Sequence, residues 1–175
     1  MTVITSFPPL ARATARVLVL GSMPGVASLA AQQYYAHPRN HFWPIMATIA
    51  GFDVQAPYAE RVEALTRADF AVWDVLQSCV RPGSLDSAIQ AGTRIPNDFA
   101  SFFAEHPGIT RVCFNGTEAH NSFTRHVLPG LVQQGVDRLD YVRLPSTSPA
   151  HTVAFAKKLA AWRAALAEPL SVKLL

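Results

Sequence analysis

The stretch Tyr34-Tyr35-Ala36-His37-Pro38-Arg39-Asn40-His41-Phe42-Trp43 packs aromatic, basic and amide side chains into ten consecutive residues. Aromatic rings stack on flat heterocycles, and a neighbouring guanidinium such as that of Arg39 meets phosphate, so the stretch suits a nucleic acid. Phe42 and Trp43 fit equally well as core residues opening a helix; Tyr35 and Asn40 are harder to explain that way. A neutral amide such as that of Asn40 can position a water molecule without deprotonating it. Upstream, Gly21-Ser22-Met23-Pro24-Gly25 makes a tight turn. Its backbone N–H groups can hold an anionic oxygen, or the turn can simply join a strand to a helix.

Three further places carry polar groups suited to a site. Asp74 offers a carboxylate that can accept from a ring N–H, cap a helix, or pair with Arg81 or Arg94. In the nearby Arg81-Pro82-Gly83-Ser84-Leu85-Asp86, Ser84 or Asp86 can cap the helix that follows. In Phe114-Asn115-Gly116-Thr117-Glu118-Ala119, Gly116 permits an unusual backbone angle and Ala119 a close helix approach. Asn115 either touches a ligand or braces the turn. Leu144-Pro145-Ser146-Thr147-Ser148-Pro149-Ala150 sets three hydroxyls between two prolines, a rigid, donor-rich loop able to grip successive phosphates. His151 follows directly and can approach the same place.

These residues need a frame that brings them together. Four short apolar runs, Arg16–Gly21, Phe70–Leu76, Arg111–Asn115 and Tyr141–Leu144, read as strands. The first and third are continuous rather than alternating, as in strands covered on both faces. Helical patterns lie between and after them: His41–Ala50 behind Asn40 as cap, Tyr58–Ala68, Pro96–Glu105 with proline in its first turn, Thr117–Val127, and Thr152–Leu166. In the last, Phe155, Leu159, Trp162 and Leu166 share one face. Strands alternating with helices predict a parallel sheet, and ligands bind such sheets at the carboxyl ends of the strands. Each polar site named above follows a strand.

The run from Gly21 to Trp43 resembles the signature of mismatch-specific uracil-DNA glycosylases, a G-x-N-P-G turn followed by an aromatic-A-H-P-x-N-x-F-W segment. The family's turn carries an Asn that positions the attacking water, and Met23 stands there in this chain. In that respect the chain is similar to the hypoxanthine-removing branch of the superfamily, which reads G-S-x-P-x at the turn and relies on the Asn of the H-P-x-N segment.

The resemblance implies a three-layer α/β fold with a central four-stranded, mostly parallel sheet flanked by helices, in one domain over residues 1–175. It implies hydrolysis of the N-glycosidic bond of hypoxanthine, extruded from double- or single-stranded DNA, with no cofactor and no metal. Extruding a base costs a few kcal/mol, and stacking can return roughly 1–3 kcal/mol of it. By the same resemblance Asn40 is catalytic, with Ser22 and Met23 contributing backbone donors. Gly21, Tyr35, Asp74 and Asn115 surround the base, Tyr35 by stacking. Arg39, Ser146, Thr147 and Ser148 hold the DNA backbone. The chain departs from the pattern at Leu144, where relatives use a His or Asn to stabilise the leaving base. It also lacks a bulky apolar wedge, unless Pro149 substitutes.

The totals agree. A chain of 175 residues, half of them hydrophobic and 15% charged, suits one folded domain. A net charge of +3 is compatible with a polyanionic partner. Two cysteines, Cys79 and Cys113, rule out a four-cysteine cluster or zinc site and fit small buried side chains in a reducing cytoplasm. No run approaches the roughly 20 apolar residues of a membrane helix, and Met1–Arg16 does not read as a secretory signal. A cytoplasmic monomer is expected. Lys157 and Lys158 on the final helix are expected to be solvated or to contact phosphate, and no lysine is placed for a Schiff base, so no lyase step is expected. Three rivals remain open: uracil as main substrate, a nucleic-acid-binding module without activity, and a serine hydrolase using Ser22 or Ser28 with a histidine. The last lacks a G-x-S-x-G elbow.

Overall fold

The computed structural model describes residues 2–167. Seven strands form: β1 (Val3–Thr5), β2 (Val17–Gly21), β3 (Phe70–Asp74), β4 (Leu76–Val80), β5 (Ile95–Pro96), β6 (Arg111–Asn115) and β7 (Asp140–Leu144). The helices are α1 (Val26–Ala31), α2 (Phe42–Ala50), α3 (Tyr58–Arg67), α4 (Phe99–Glu105), α5 (Thr117–His126), α6 (Leu128–Gln133) and α7 (Phe155–Ala167). Strands β3-β2-β6-β7 make one sheet in that order, and all three neighbouring pairs are parallel.

The apolar runs are continuous because this sheet is covered on both sides. Leu18, Leu20, Trp73, Val112 and Phe114 pack toward α4, α5 and α6. Val17, Val19, Val72 and Cys113 pack the other way, with residues of α2, α3 and α7. Alternate residues of one strand thus serve two different cores, which removes the polar half of the usual alternation. Cys79 and Cys113 are both buried and unpaired. Among the described residues no helix is long and apolar enough to cross a membrane.

Three details differ from the sequence reading. The run Phe70–Leu76 is not one strand: β3 ends at Asp74, and Leu76 opens β4 in a separate antiparallel sheet of order β1-β4-β5. The break falls where Val75 and Leu76 donate to the carbonyls of Gly21 and Ser22, at the end of β2. The helix expected from Pro96 starts at Phe99, because Asp98 caps it by accepting from Ser101 N–H at 3.1 Å, while Pro96 belongs to β5. The final helix starts at Phe155 rather than Thr152.

The strand order carries the functional consequence. From β2 the chain moves to β3 on one side, then crosses to β6 on the other. The crevice that such a reversal opens lies at the carboxyl end of the central strand, where Gly21, Asp74, Asn115 and the loop after β7 meet.

Candidate active site

A cavity of about 160 Å³ opens at that end of the sheet. Its lining draws on all four strand ends: the Gly21–Gly25 turn, Asp74, Asn115, and Ser146 to Pro149. Tyr35 and Asn40 reach it from the segment between α1 and α2. Arg39 does not line it; that residue is exposed, with no side-chain hydrogen bond or ion pair among the described residues.

The floor is built around Gly21. A Cβ there would lie 2.5 Å from Asp74 Oδ1 and 2.9 Å from the Tyr35 hydroxyl, so only glycine lets both side chains close over the strand end. Asp74 is 3% exposed. Among the described residues its Oδ2 and the Tyr35 hydroxyl are both buried without a hydrogen-bond partner. Burial, reinforced by the neighbouring Asp86 carboxylate and opposed by Arg81, pushes the Asp74 carboxyl up to about 7. Burial and Asp74 likewise raise the Tyr35 phenol far above its ordinary value. Asp74 neither caps a helix nor forms an ion pair: Arg81 lies 3.8 Å from Asp86, and Arg94 pairs with Glu118 at 3.1 Å.

Tyr35 holds a left-handed backbone, φ 55°, a conformation that costs a non-glycine residue of order 1–3 kcal/mol. The amides on either side are captured by side chains. Tyr34 N–H donates to the Tyr58 hydroxyl and Ala36 N–H to Ser28 Oγ, each at 3.1 Å. The Tyr35 ring stacks on Phe42, with centroids 4.1 Å apart. Asn40 Oδ1 accepts from Phe42 N–H, the first amide of α2, at 2.9 Å. The same residue therefore starts the helix and faces the cavity.

The Gly21–Gly25 turn is held by the linker after β4. Buried Arg81 donates to the carbonyls of Met23 and Pro24. Ser22 Oγ donates to Asp86 Oδ1 at 2.6 Å, and Ser84 Oγ accepts from Val26 N–H at 2.9 Å. Ser84 and Asp86 thus serve the turn and α1 rather than the helix that follows them. Met23 is buried in the core beneath the cavity. Ser22 donates to Asp86 and Ser28 accepts from Ala36 N–H, and among the described residues no hydrogen bond joins either serine to a histidine.

On the opposite wall, Gly116 has φ 100°, and a Cβ there would meet Ser146 Cβ at 3.1 Å, so the β7 loop sits directly on it. Asn115 clasps that loop. Its Oδ1 accepts from Thr147 N–H and its Nδ2 donates to Thr147 Oγ1, both at 2.9 Å. Thr147 is fully buried. Its side chain therefore anchors the loop and does not face a phosphate, and both ends of the Asn115 amide are used in the same clasp. Ser146 Oγ accepts from Ser148 N–H and Ser148 Oγ from Ala150 N–H. Each hydroxyl keeps its own proton available to donate.

Leu144 is buried in the core and does not reach the cavity. Exposed His151 lies outside the lining as well. Lys157 is exposed as expected, but Lys158 is fully buried. His37 and Asp86 line the cavity as well, beyond the residues expected from sequence. The signal for His37 was its place in the same ten-residue stretch; Asp86 carried none, since only the fold brings the linker over the turn.

The family model of the uracil DNA glycosylase superfamily matches residues 8–168. A hypoxanthine DNA glycosylase of Methanosarcina barkeri strain Fusaro is 37% identical over 114 residues, 65% of this chain and 71% of the relative. One of the same name from Methanosarcina acetivorans is 34% identical over the same shares. The solution NMR structure of a uracil DNA glycosylase candidate from Methanosarcina acetivorans superposes with a TM-score of 0.74 at 28% identity, over 93% of this chain and 98% of that one.

Proposed function

The chain belongs to the uracil DNA glycosylase superfamily, and from that premise we propose that it removes hypoxanthine from DNA by hydrolysing the N-glycosidic bond, as the first step of base excision repair. The observation that carries the reading is the pair of unpartnered buried groups on the cavity floor, Asp74 Oδ2 and the Tyr35 hydroxyl. Buried polar atoms without partners are rare, and a ligand that completes them is the simplest reason for their persistence. Hypoxanthine presents an N1–H donor beside the O6 acceptor. An ionised Asp74 accepts from the first and the Tyr35 hydroxyl donates to the second. Adenine presents the opposite pattern at both positions and leaves both groups mismatched. A base bonded edge-on to this hydroxyl is not stacked on the same ring; the convergence over Gly21 favours the edge.

The base must leave the duplex to reach the cavity. Ser146 and Ser148 donate to the strained backbone, and Arg39 meets a phosphate at the rim. As the bond breaks, the sugar gains oxocarbenium character and the base gains negative charge. Fixed donors of the Gly21–Gly25 turn, at Ser22 and Met23, stabilise that charge; one such donor is typically worth about 2.7–4 kcal/mol. The cation needs a water in position more than a strong base, and Asn40 supplies the position. The working form we infer is a cytoplasmic monomer, in keeping with two buried, unpaired cysteines.

The test is incubation of the protein with labelled duplexes holding one inosine or one uracil, followed by alkaline cleavage, with Asn40→Ala in parallel. Scission at inosine that the variant loses supports the reading. Scission mainly at uracil keeps the reaction and overturns the substrate. Binding to DNA without scission of either overturns the enzyme in favour of a binding module.

A further inference from the structure

Lys158 is fully buried, and among the described residues no carboxylate lies within ion-pair distance of it. Its ammonium donates to the Ser148 carbonyl at 3.2 Å. That carbonyl already accepts from His151 N–H at 3.0 Å. An ammonium has three donors, and a buried cation without a counter-charge is strongly disfavoured. Methionine or leucine would fill the same space at lower cost, so the charge calls for a reason.

The surroundings supply one. Lys158 donates to the Ser146–Pro149 loop, which forms a wall of the cavity and whose Ser146 and Ser148 hydroxyls each accept a backbone N–H and keep a proton to donate. An anion held by those hydroxyls faces the ammonium across one thickness of backbone. A positive charge bonded to the loop itself attracts an anion held on that loop. Among the described residues the titratable neighbour is His41, whose Nδ1 is buried without a partner there and whose ring packs edge-on against Phe155. An imidazole, neutral or protonated, supplies no negative counter-charge.

We propose that Lys158 is a positioning residue that charges the Ser146–Pro149 loop from behind for a phosphodiester, fixing the Ser148 carbonyl and supplying the positive charge that the bound phosphate neutralises. The proposal rests on the reading that this loop meets DNA. It makes Lys158 a part of DNA binding that never touches the DNA.

The experiment is fluorescence anisotropy with a labelled duplex carrying one abasic-site analogue, titrated across a series of KCl concentrations, for the wild-type protein and Lys158→Met. The variant is expected to melt no lower than wild type and to bind more weakly. Its plot of log affinity against log salt should be shallower by about 0.9, the loss of one phosphate neutralisation. A folded variant with an unchanged slope overturns the proposal. Should the variant not fold, the wild type decides. The chain has three lysines, so the Lys158 side-chain carbon signal can be followed through a pH titration by NMR, with and without the duplex. Its titration should move to higher pH in the complex; no movement overturns the proposal. Failure of the wild type to bind the duplex at all overturns the DNA reading and this inference with it.

Discussion

The Asp74 carboxylate and the Tyr35 hydroxyl converge over the bare Cα of Gly21, one from the end of β3 and the other from a left-handed residue ahead of α2. Among the described residues neither Oδ2 of the acid nor the phenol has a hydrogen-bond partner. Gly21→Ala is the direct probe of this arrangement. Its new methyl would overlap two groups that cannot retreat into a packed interior, an overpacking that typically costs 1–3 kcal/mol. A more than tenfold fall in kcat/KM on inosine-containing duplex is expected, together with a melting temperature lower by several degrees. Unchanged activity would show that the floor does not meet the base.

The raised carboxyl of Asp74 links stability to pH. Its ordinary value is 3.8 and its folded value about 7. Between the two the folded state binds more protons than the unfolded chain, so stability falls as pH rises across that window and the whole penalty is present above it. Asp74→Asn does not titrate. The melting temperature of the variant minus that of wild type should therefore grow from pH 5 to pH 8, by on the order of 5 °C for a few kcal/mol. A constant difference over that range counts against a buried, titrating Asp74.

The same titration shapes the chemistry. If the ionised carboxyl accepts from N1–H, single-turnover excision of hypoxanthine by the wild type rises with pH through about 7. In Asp74→Asn that inflection disappears. A rate profile with the same inflection in both proteins would move the titrating group elsewhere.

Asn40 serves two ends, and they separate by substitution. Asn40→Asp keeps an oxygen for Phe42 N–H and so keeps the start of α2. Asn40→Ala loses it and should be destabilised by about 1 kcal/mol. Both variants should lose at least about a hundredfold in activity if the amide positions water. Retention of activity in the Asp variant would assign the water to another group.

Asn115 and Thr147 hold one another through two hydrogen bonds, so their contributions should not add. Asn115→Ala strands a buried N–H and is expected to cost about 1–3 kcal/mol. Thr147→Val should cost less in that background than in wild type, with a coupling of about 0.5–1.5 kcal/mol from urea denaturation of the four proteins. Additive losses would mean that the clasp does not hold the loop.

Much of this was legible in the residues alone. Val17 to Leu20 and Val112 to Phe114 are apolar without alternation, as strands covered on both faces read. Gly21, Asp74, Asn115 and Ser146 each stand at or near the end of one of the four expected strands, and a parallel sheet gathers its carboxyl ends at one edge. The local order of types and spacings was therefore enough for the main sheet and for the place where a ligand would sit. The short antiparallel sheet was not legible, since Val3–Thr5 and Ile95–Pro96 carry too few residues for a period and gain their structure from pairing with Leu76–Val80. Nor was the fate of several polar side chains. In sequence Arg81 reads as a possible partner of Asp74, Lys158 as solvated or a phosphate contact, and Thr147 as one of three equal hydroxyls. Whether such a group is buried depends on which distant carbonyl or amide arrives beside it: Pro24 for Arg81, Ser148 for Lys158, Asn115 for Thr147. Spacing along the chain sets which residues share a face or a strand end. Burial and partnership are set by packing between segments far apart in sequence, and there the tertiary structure alone decided.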